Sequence, residues 1–142
     1  MKKQKTVFVI CPVRVADDAT RQKLEAYKKK LELEGYKVHL PHLDTNQQVS
    51  GYEICLQNMK VILKANEIHI FFVSTSYGSH FDLGVTFLAC YRNPKKIIKV
   101  IENGQIVDEN GQLKLLFEKS FGQMLGDWEY FQNKRIYQSN DT

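Results

Sequence analysis

Residues Ile68–Tyr91 read IHIFFVSTSYGSHFDLGVTFLACY. The stretch Glu67–Val73 is apolar at nearly every position, which is the pattern of a strand buried on both faces of a parallel sheet. Ser74–Asp82, STSYGSHFD, then gathers hydroxyl and small residues around a lone acid. A helix is predicted from Ser79 or His80 to Tyr91, because apolar residues resume there and Asn93-Pro94 ends them. Strand, short polar loop and buried helix in that order make half of a βαβ unit.

The flanking sequence repeats the unit. Thr6–Cys11, TVFVIC, is a β-branched and aromatic run stopped by Pro12, and predicts a buried first strand. Asp17, Asp18 and Thr20 are candidate caps for a helix in which Leu24, Tyr27 and Leu31 recur among charges until Gly35. Tyr36–Leu40 predicts a second strand closed by Pro41, followed by a polar loop from His42 to Ser50. Gly51–Ala65 carries Ile54, Cys55, Met59, Ile62 and Leu63 at helical spacing. Lys96–Ile101, KIIKVI, predicts a fourth strand.

Strands alternating with helices imply an α/β protein with helices on both sides of a parallel sheet. With right-handed crossovers, the expected architecture is a three-layer open sheet, flavodoxin-like or Rossmann-like, of four or five strands in a single domain over residues 1–142. In the last forty residues, two Asn-Gly pairs within Glu102–Gly111 suggest a short strand or hairpin. A helix is expected from Leu113 to about Phe131, with Trp128, Tyr130 and Phe131 placed to pack on the sheet, close a pocket or form a subunit contact, core packing being the default.

The 142 residues carry a net charge of +4, with 43% hydrophobic and 25% charged residues, an ordinary globular composition. The basic residues are dispersed apart from the N-terminal lysines and Lys28–Lys30, which suits a solvated helix face and argues against a nucleic-acid polymer as partner. Cys11, Cys55 and Cys90 are isolated in apolar company, as expected of reduced thiols. No apolar run approaches the roughly 20 residues of a membrane span, and TVFVICPVR is too short for a secretory core, so a cytoplasmic location and no membrane partner are expected. His39, His42 and His80 are not spaced with the cysteines as a zinc site would require, so no metal or other cofactor is expected.

Ligands of open α/β sheets bind beyond the carboxyl ends of the strands. Four loops fall there: Cys11–Arg14, Pro41–Gln47, Ser74–Asp82 and Glu102–Gln105. Only the third concentrates hydroxyls and glycine at a helix start, where unpaired N–H groups and the helix dipole favour an anion such as phosphate. Ser74, Thr75, Ser76 and Ser79 could add hydroxyl donors, and Arg14 is a suitable anion fork. An ordinary N-cap, with Asp82 stabilising the dipole from the first turn, is the plain alternative.

Phe81-Asp82-Leu83-Gly84 resembles the aromatic-Glu-Leu-Gly motif at the third helix of the nucleoside 2-deoxyribosyltransferase superfamily. Ser76-Tyr77-Gly78 resembles the Ser-Leu-Gly of its nucleotide N-glycoside hydrolase branch, and Pro12-Val13-Arg14 stands where that branch has Ser-Ile-Arg. The resemblance runs from Val7 to about Ile101. It implies cleavage or transfer of the N-glycosidic bond of a (deoxy)nucleoside or nucleoside 5′-monophosphate. Asp82 would be the catalytic nucleophile, one methylene shorter than the family's Glu. Cys11, Arg14, Ser76, Gly78, Ser79, His80 and Phe81 would contact substrate, and Asp44 and Glu53 are candidates for a second acid toward the leaving base. It further implies a small-molecule nucleoside or nucleotide as partner, and a homo-oligomer. A nucleotide-binding or sensing module without catalysis is the alternative on the same scaffold.

Overall fold

The structure, a computed structural model, describes residues 3–101 together with Trp128 and Gln132. The expected hairpin at Glu102–Gly111, and the expected Leu113–Phe131 helix apart from Trp128, lie outside the described residues.

Strand β1 (Thr6–Ile10) leads into helix α1 (Asp18–Leu33). Asp17 caps the helix by accepting the Thr20 N–H at 2.8 Å. At the other end Tyr36 donates to the Leu31 carbonyl and Gly35 to that of Glu32, a closure that requires a left-handed residue. Gly35 supplies it, with φ of 99°. Strand β2 follows at Lys37–His39, then the short helix α2 (Pro41–Asp44), helix α3 (Gly51–Lys64) and strand β3 (Glu67–Ile70). Helix α4 (Tyr77–Arg92) and strand β4 (Ile97–Val100) complete the order.

All strand pairs are parallel, and the sheet order is β2-β1-β3-β4. This is the expected three-layer α/β architecture, with four strands among the described residues. One face of the sheet buries Val7, Val9, Val38 and Leu40 against Leu24 and Leu31 of α1. The other buries Phe8, Ile10, Ile68, Ile70 and Ile98 against Ile62 of α3 and Leu83, Ala89 and Cys90 of α4. Trp128 joins this second core and packs edge-on against Phe87, ring centroids 5.6 Å apart.

Several polar groups are buried in this frame, His69 and Lys96 among them. His69 lies in the central strand, and its ring nitrogens meet the Tyr27 hydroxyl at 2.6 Å and the Glu67 carboxylate at 3.0 Å. A histidine is tolerated inside the sheet because both nitrogens are partnered. Lys96, 2% exposed, turns its ammonium onto the carbonyls of Ile62, Leu63 and Ala65 and so closes the C-terminal end of α3.

Two sequence expectations require correction. The stretch from His42 to Ser50 is not wholly loop, since α2 opens it. Pro41 starts that turn without losing a needed N–H, and the Asp44 carboxylate closes it by accepting the Leu40 N–H at 2.8 Å. Helix α4 begins at Tyr77, two residues before the earlier predicted start. Ser76 wins the cap because its Oγ accepts the Ser79 N–H at 3.3 Å. Asp82 is therefore in the second turn of α4 rather than the first, which removes the simple dipole account of its presence.

Candidate functional site

Sheet order reverses between β1 and β3: the chain leaves β1 toward β2 and returns past it to β3. Loops leaving the carboxyl ends of these two strands diverge there and open a crevice. A cavity of about 370 Å³ occupies it. Cys11, Val13 and Arg14 line it from the β1 loop, Thr75 and Ser76 from the β3 loop, Tyr77 and Gly78 from the start of α4, and Ile54, Cys55 and Asn58 from α3. Asp82 of α4 is also in the lining.

Asp82 is 4% exposed. Asn58 Nδ2 approaches its Oδ2 at 3.5 Å, the outer limit of a hydrogen bond. Burial pushes the carboxyl up to about 7, and the Asn58 contact offsets only part of that shift. A group balanced between acid and carboxylate at neutral pH is poised for nucleophilic or proton-transfer chemistry. The neighbouring Cys11 thiol behaves differently. Burial, with the Asp82 charge adding to it, pushes it up to about 12, so Cys11 stays a neutral thiol and forms wall rather than nucleophile.

Asn58 is held from behind. Thr45 Oγ1 donates to Asn58 Oδ1 at 2.7 Å, and His39 Nε2 lies 2.7 Å from the same hydroxyl. A threonine hydroxyl has one proton. Given to Asn58, it obliges His39 to donate from Nε2 and turns the Asn58 amide N–H toward Asp82. Reversing the chain would aim the Asn58 carbonyl at Asp82, which suits only a protonated carboxyl. Burial also lowers the pKa of His39, which keeps its ring neutral in this role.

Also in the lining, Ser76 places its Oγ 2.8 Å from Ser79 Oγ as well as capping α4. Tyr77 and Gly78 occupy the first two helical positions, where N–H groups have no carbonyl four residues back to bond. A side chain added at Gly78 would meet no atom within 4 Å, so the space over this backbone is open. Arg14 is exposed at the rim, and its guanidinium makes no ion pair among the described residues.

The cavity thus brings together five of the ten residues named with the family resemblance, Cys11, Arg14, Ser76, Gly78 and Asp82, together with Thr75. The other five are elsewhere. Ser79 is buried beneath the cap. His80 reaches back to the Ser74 carbonyl at 2.9 Å and packs edge-on to Phe72, which stiffens the loop from outside. Phe81 is on the outward side of α4, and Glu53 is exposed in the first turn of α3. Asp44 is held by Lys28 at 2.6 Å and lines a separate cavity of about 360 Å³ between β2 and α3.

Sequence reasoning missed Asn58 and Thr45. The available signal was Asn58 itself, a polar residue one turn before Ile62 on the inward stripe of α3. A buried amide in an apolar stripe needs a partner. Among the described residues no three His, Cys, Asp or Glu side chains gather as a metal site would require, and no helix is long and apolar enough to cross a membrane.

No family model matches the sequence, and no curated protein matches it either. Among solved structures the chain is similar to a CMP N-glycosidase, BcmB, of Clostridium botulinum, with a TM-score of 0.52 and 20% sequence identity. The match covers 68% of this chain and 70% of that one. At this identity the likeness is one of fold.

Proposed function

We propose that the protein cleaves or transfers the N-glycosidic bond of a nucleoside 5′-monophosphate or related (deoxy)nucleoside, with Asp82 as nucleophile. The observation that carries this is the placing of the buried Asp82 carboxyl in the lining of the same cavity as Arg14 and the amino end of α4, with burial pushing that carboxyl up to about 7. The name of the structural neighbour, a CMP N-glycosidase, supports the same chemistry, as does the Phe81–Gly84 motif.

In the first step the Asp82 carboxylate attacks the anomeric carbon as the carbon–nitrogen bond breaks. The bonding electron pair leaves with the base, which takes up a proton. Water or a second base then attacks the glycosyl ester, and the configuration at the anomeric carbon is retained. Asn58 orients the attacking oxygen through its amide N–H. The substrate phosphate is taken by the free N–H groups of Tyr77 and Gly78, with the Arg14 guanidinium above them. A cavity of about 370 Å³ is within the roughly 300–1,000 Å³ range of small-molecule clefts.

The alternative is a module that binds a nucleotide without turning it over. The distribution of acids favours it: Asp82 is the one carboxylate in the cavity lining among the described residues, and protonation of the leaving base would fall to solvent. Incubation with a panel of nucleosides and 5′-monophosphates, read by chromatography of free base, separates the two. Base release that disappears in Asp82→Asn supports the enzyme. Micromolar binding by calorimetry with no release from any compound supports the module.

A further inference from the structure

The cavity of about 360 Å³ between β2 and α3 shares no lining residue with the cavity at Asp82. Its wall is partly apolar, with Val7, Val61 and Ala65 in it. Lys37 of β2 and Lys60 and Lys64 of α3 line it too. These three lysines are exposed, and none makes an ion pair among the described residues. Lys60 and Lys64 stand one helical turn apart, the spacing at which like charges repel. Asp44 is the one acid in the lining among the described residues, and its carboxylate is already taken by the Lys28 ammonium and the Leu40 N–H. Nor does the carboxyl end of α3 supply the missing negative charge. Its carbonyls at Ile62, Leu63 and Ala65 are met by the Lys96 ammonium. The cavity is therefore left with uncompensated positive charge.

His39 adds a directional group. Side chains alternate along β2, so Lys37 and His39 share one face of the sheet and Val38 takes the other. The His39 ring lies on that of Phe8, with centroids 5.3 Å apart and planes 16° from parallel. Its Nε2 donates to Thr45, so in the neutral ring Nδ1 carries the lone pair. No hydrogen bond reaches Nδ1 among the described residues. Burial is the main force that keeps this ring neutral; Lys28 of α1 adds to it and Asp44 of α2 opposes it. Lys37 from its own strand and Lys60 and Lys64 from α3 are the other charges of the lining, and β1 brings no titratable side chain. An anion in the cavity would reverse the balance, and the protonated Nδ1 would then donate to it.

We propose that this cavity is a second ligand site, for a small phosphomonoester whose apolar body packs on the valines and whose phosphate lies among Lys37, Lys60, Lys64 and His39 Nδ1. Lysine ammoniums act as point charges, which suits a phosphate dianion. The volume is within the roughly 300–1,000 Å³ range of small-molecule clefts. The site does not depend on the reaction proposed at Asp82, since none of its residues lines that cavity.

Histidine-ring NMR of the full chain, titrated with phenyl phosphate, tests this. His39 is one of four histidines, and His39→Gln assigns its signal. The expected result is a saturable shift of that signal, with the His39 titration midpoint raised by about 1 pH unit in the complex. Lys60→Gln/Lys64→Gln should weaken the binding at least about tenfold with unchanged circular dichroism, and Arg14→Ala should leave it unaltered. Inorganic phosphate, which lacks the apolar body, should bind at least about tenfold more weakly. If the lysine pair does not fold, Lys37→Gln is read instead. A His39 signal that ignores millimolar phenyl phosphate overturns the inference. So does a response that survives the lysine substitutions, one that is lost in Arg14→Ala, or one that inorganic phosphate reproduces with equal affinity.

Discussion

Asn58 and Asp82 come from neighbouring helices on one side of the sheet and meet at 3.5 Å beneath the cavity, the amide N–H aimed at the carboxylate. Among the described residues, Asn58 is the group that offsets the burial of Asp82. The contact sets how much of the carboxylate is ionised near neutral pH, and hence how the site responds to substitution and to pH.

The ionised form is the nucleophile, so base release by the unaltered protein should rise with pH through about 7. Asn58→Ala, or Thr45→Val acting through Asn58, removes the stabilising N–H and should move that inflection upward by about 0.5–1 unit. A kcat/KM profile against pH checks this. An unchanged inflection in both variants would mean the chain from His39 is only structural.

Stability should show the opposite trend. The folded-state pKa of Asp82 lies above its ordinary value of 3.8, so between about 4 and 7 the native state holds more protons than the unfolded chain. Asp82 therefore lowers stability progressively as pH rises through that window, by on the order of 2–4 kcal/mol. Asp82→Asn should abolish that loss and leave the variant more stable than the unaltered protein at pH 8. Urea unfolding at pH 5 and pH 8 provides the comparison.

Among the described residues that line the cavity, Arg14 is the one cation, and it is free to meet an anion. Arg14→Ala should raise KM for a 5′-monophosphate about 10–100-fold and leave the corresponding nucleoside nearly unaffected. Arg14→Lys should recover part of the difference, because a point charge replaces a fork. Equal effects on both substrates would remove Arg14 from phosphate recognition.

Lys96 closes α3 from inside the core. Lys96→Met should fill its space yet leave the carbonyls of Ile62, Leu63 and Ala65 without their donor. The expected cost is about 1–3 kcal/mol, measured as a lower urea midpoint.

The sequence carried most of the fold, for physical reasons. The parallel sheet followed from the apolar run at Ile68–Val73, and the cap at Asp17 from the side-chain oxygen that precedes α1. The start of α4 was ambiguous because Ser76 and Ser79 are both good caps, and only the three-dimensional reach of Ser76 Oγ decides between them. The short helix after Pro41 depended on Asp44 folding back onto Leu40, a contact that residue types do not announce. At the site, Asp82, Ser76, Gly78 and Arg14 share one cavity because they stand at the ends of adjacent strands, which strand order predicts. His80 and Phe81 are neighbours of Asp82 in sequence, yet helical geometry turns them away from it. The chain His39–Thr45–Asn58–Asp82 joins four separate segments and has no local signature.

The most direct measurement is a single-turnover reaction with a nucleoside 5′-monophosphate, CMP first, quenched in acid and mapped by peptide mass spectrometry alongside the base-release rate of Asp82→Asn. The account predicts a pentosyl-phosphate ester on the peptide bearing Asp82, and a rate lowered by at least about 10³-fold in the variant. Base release that proceeds at the same rate in Asp82→Asn, with no adduct on that peptide, would contradict it.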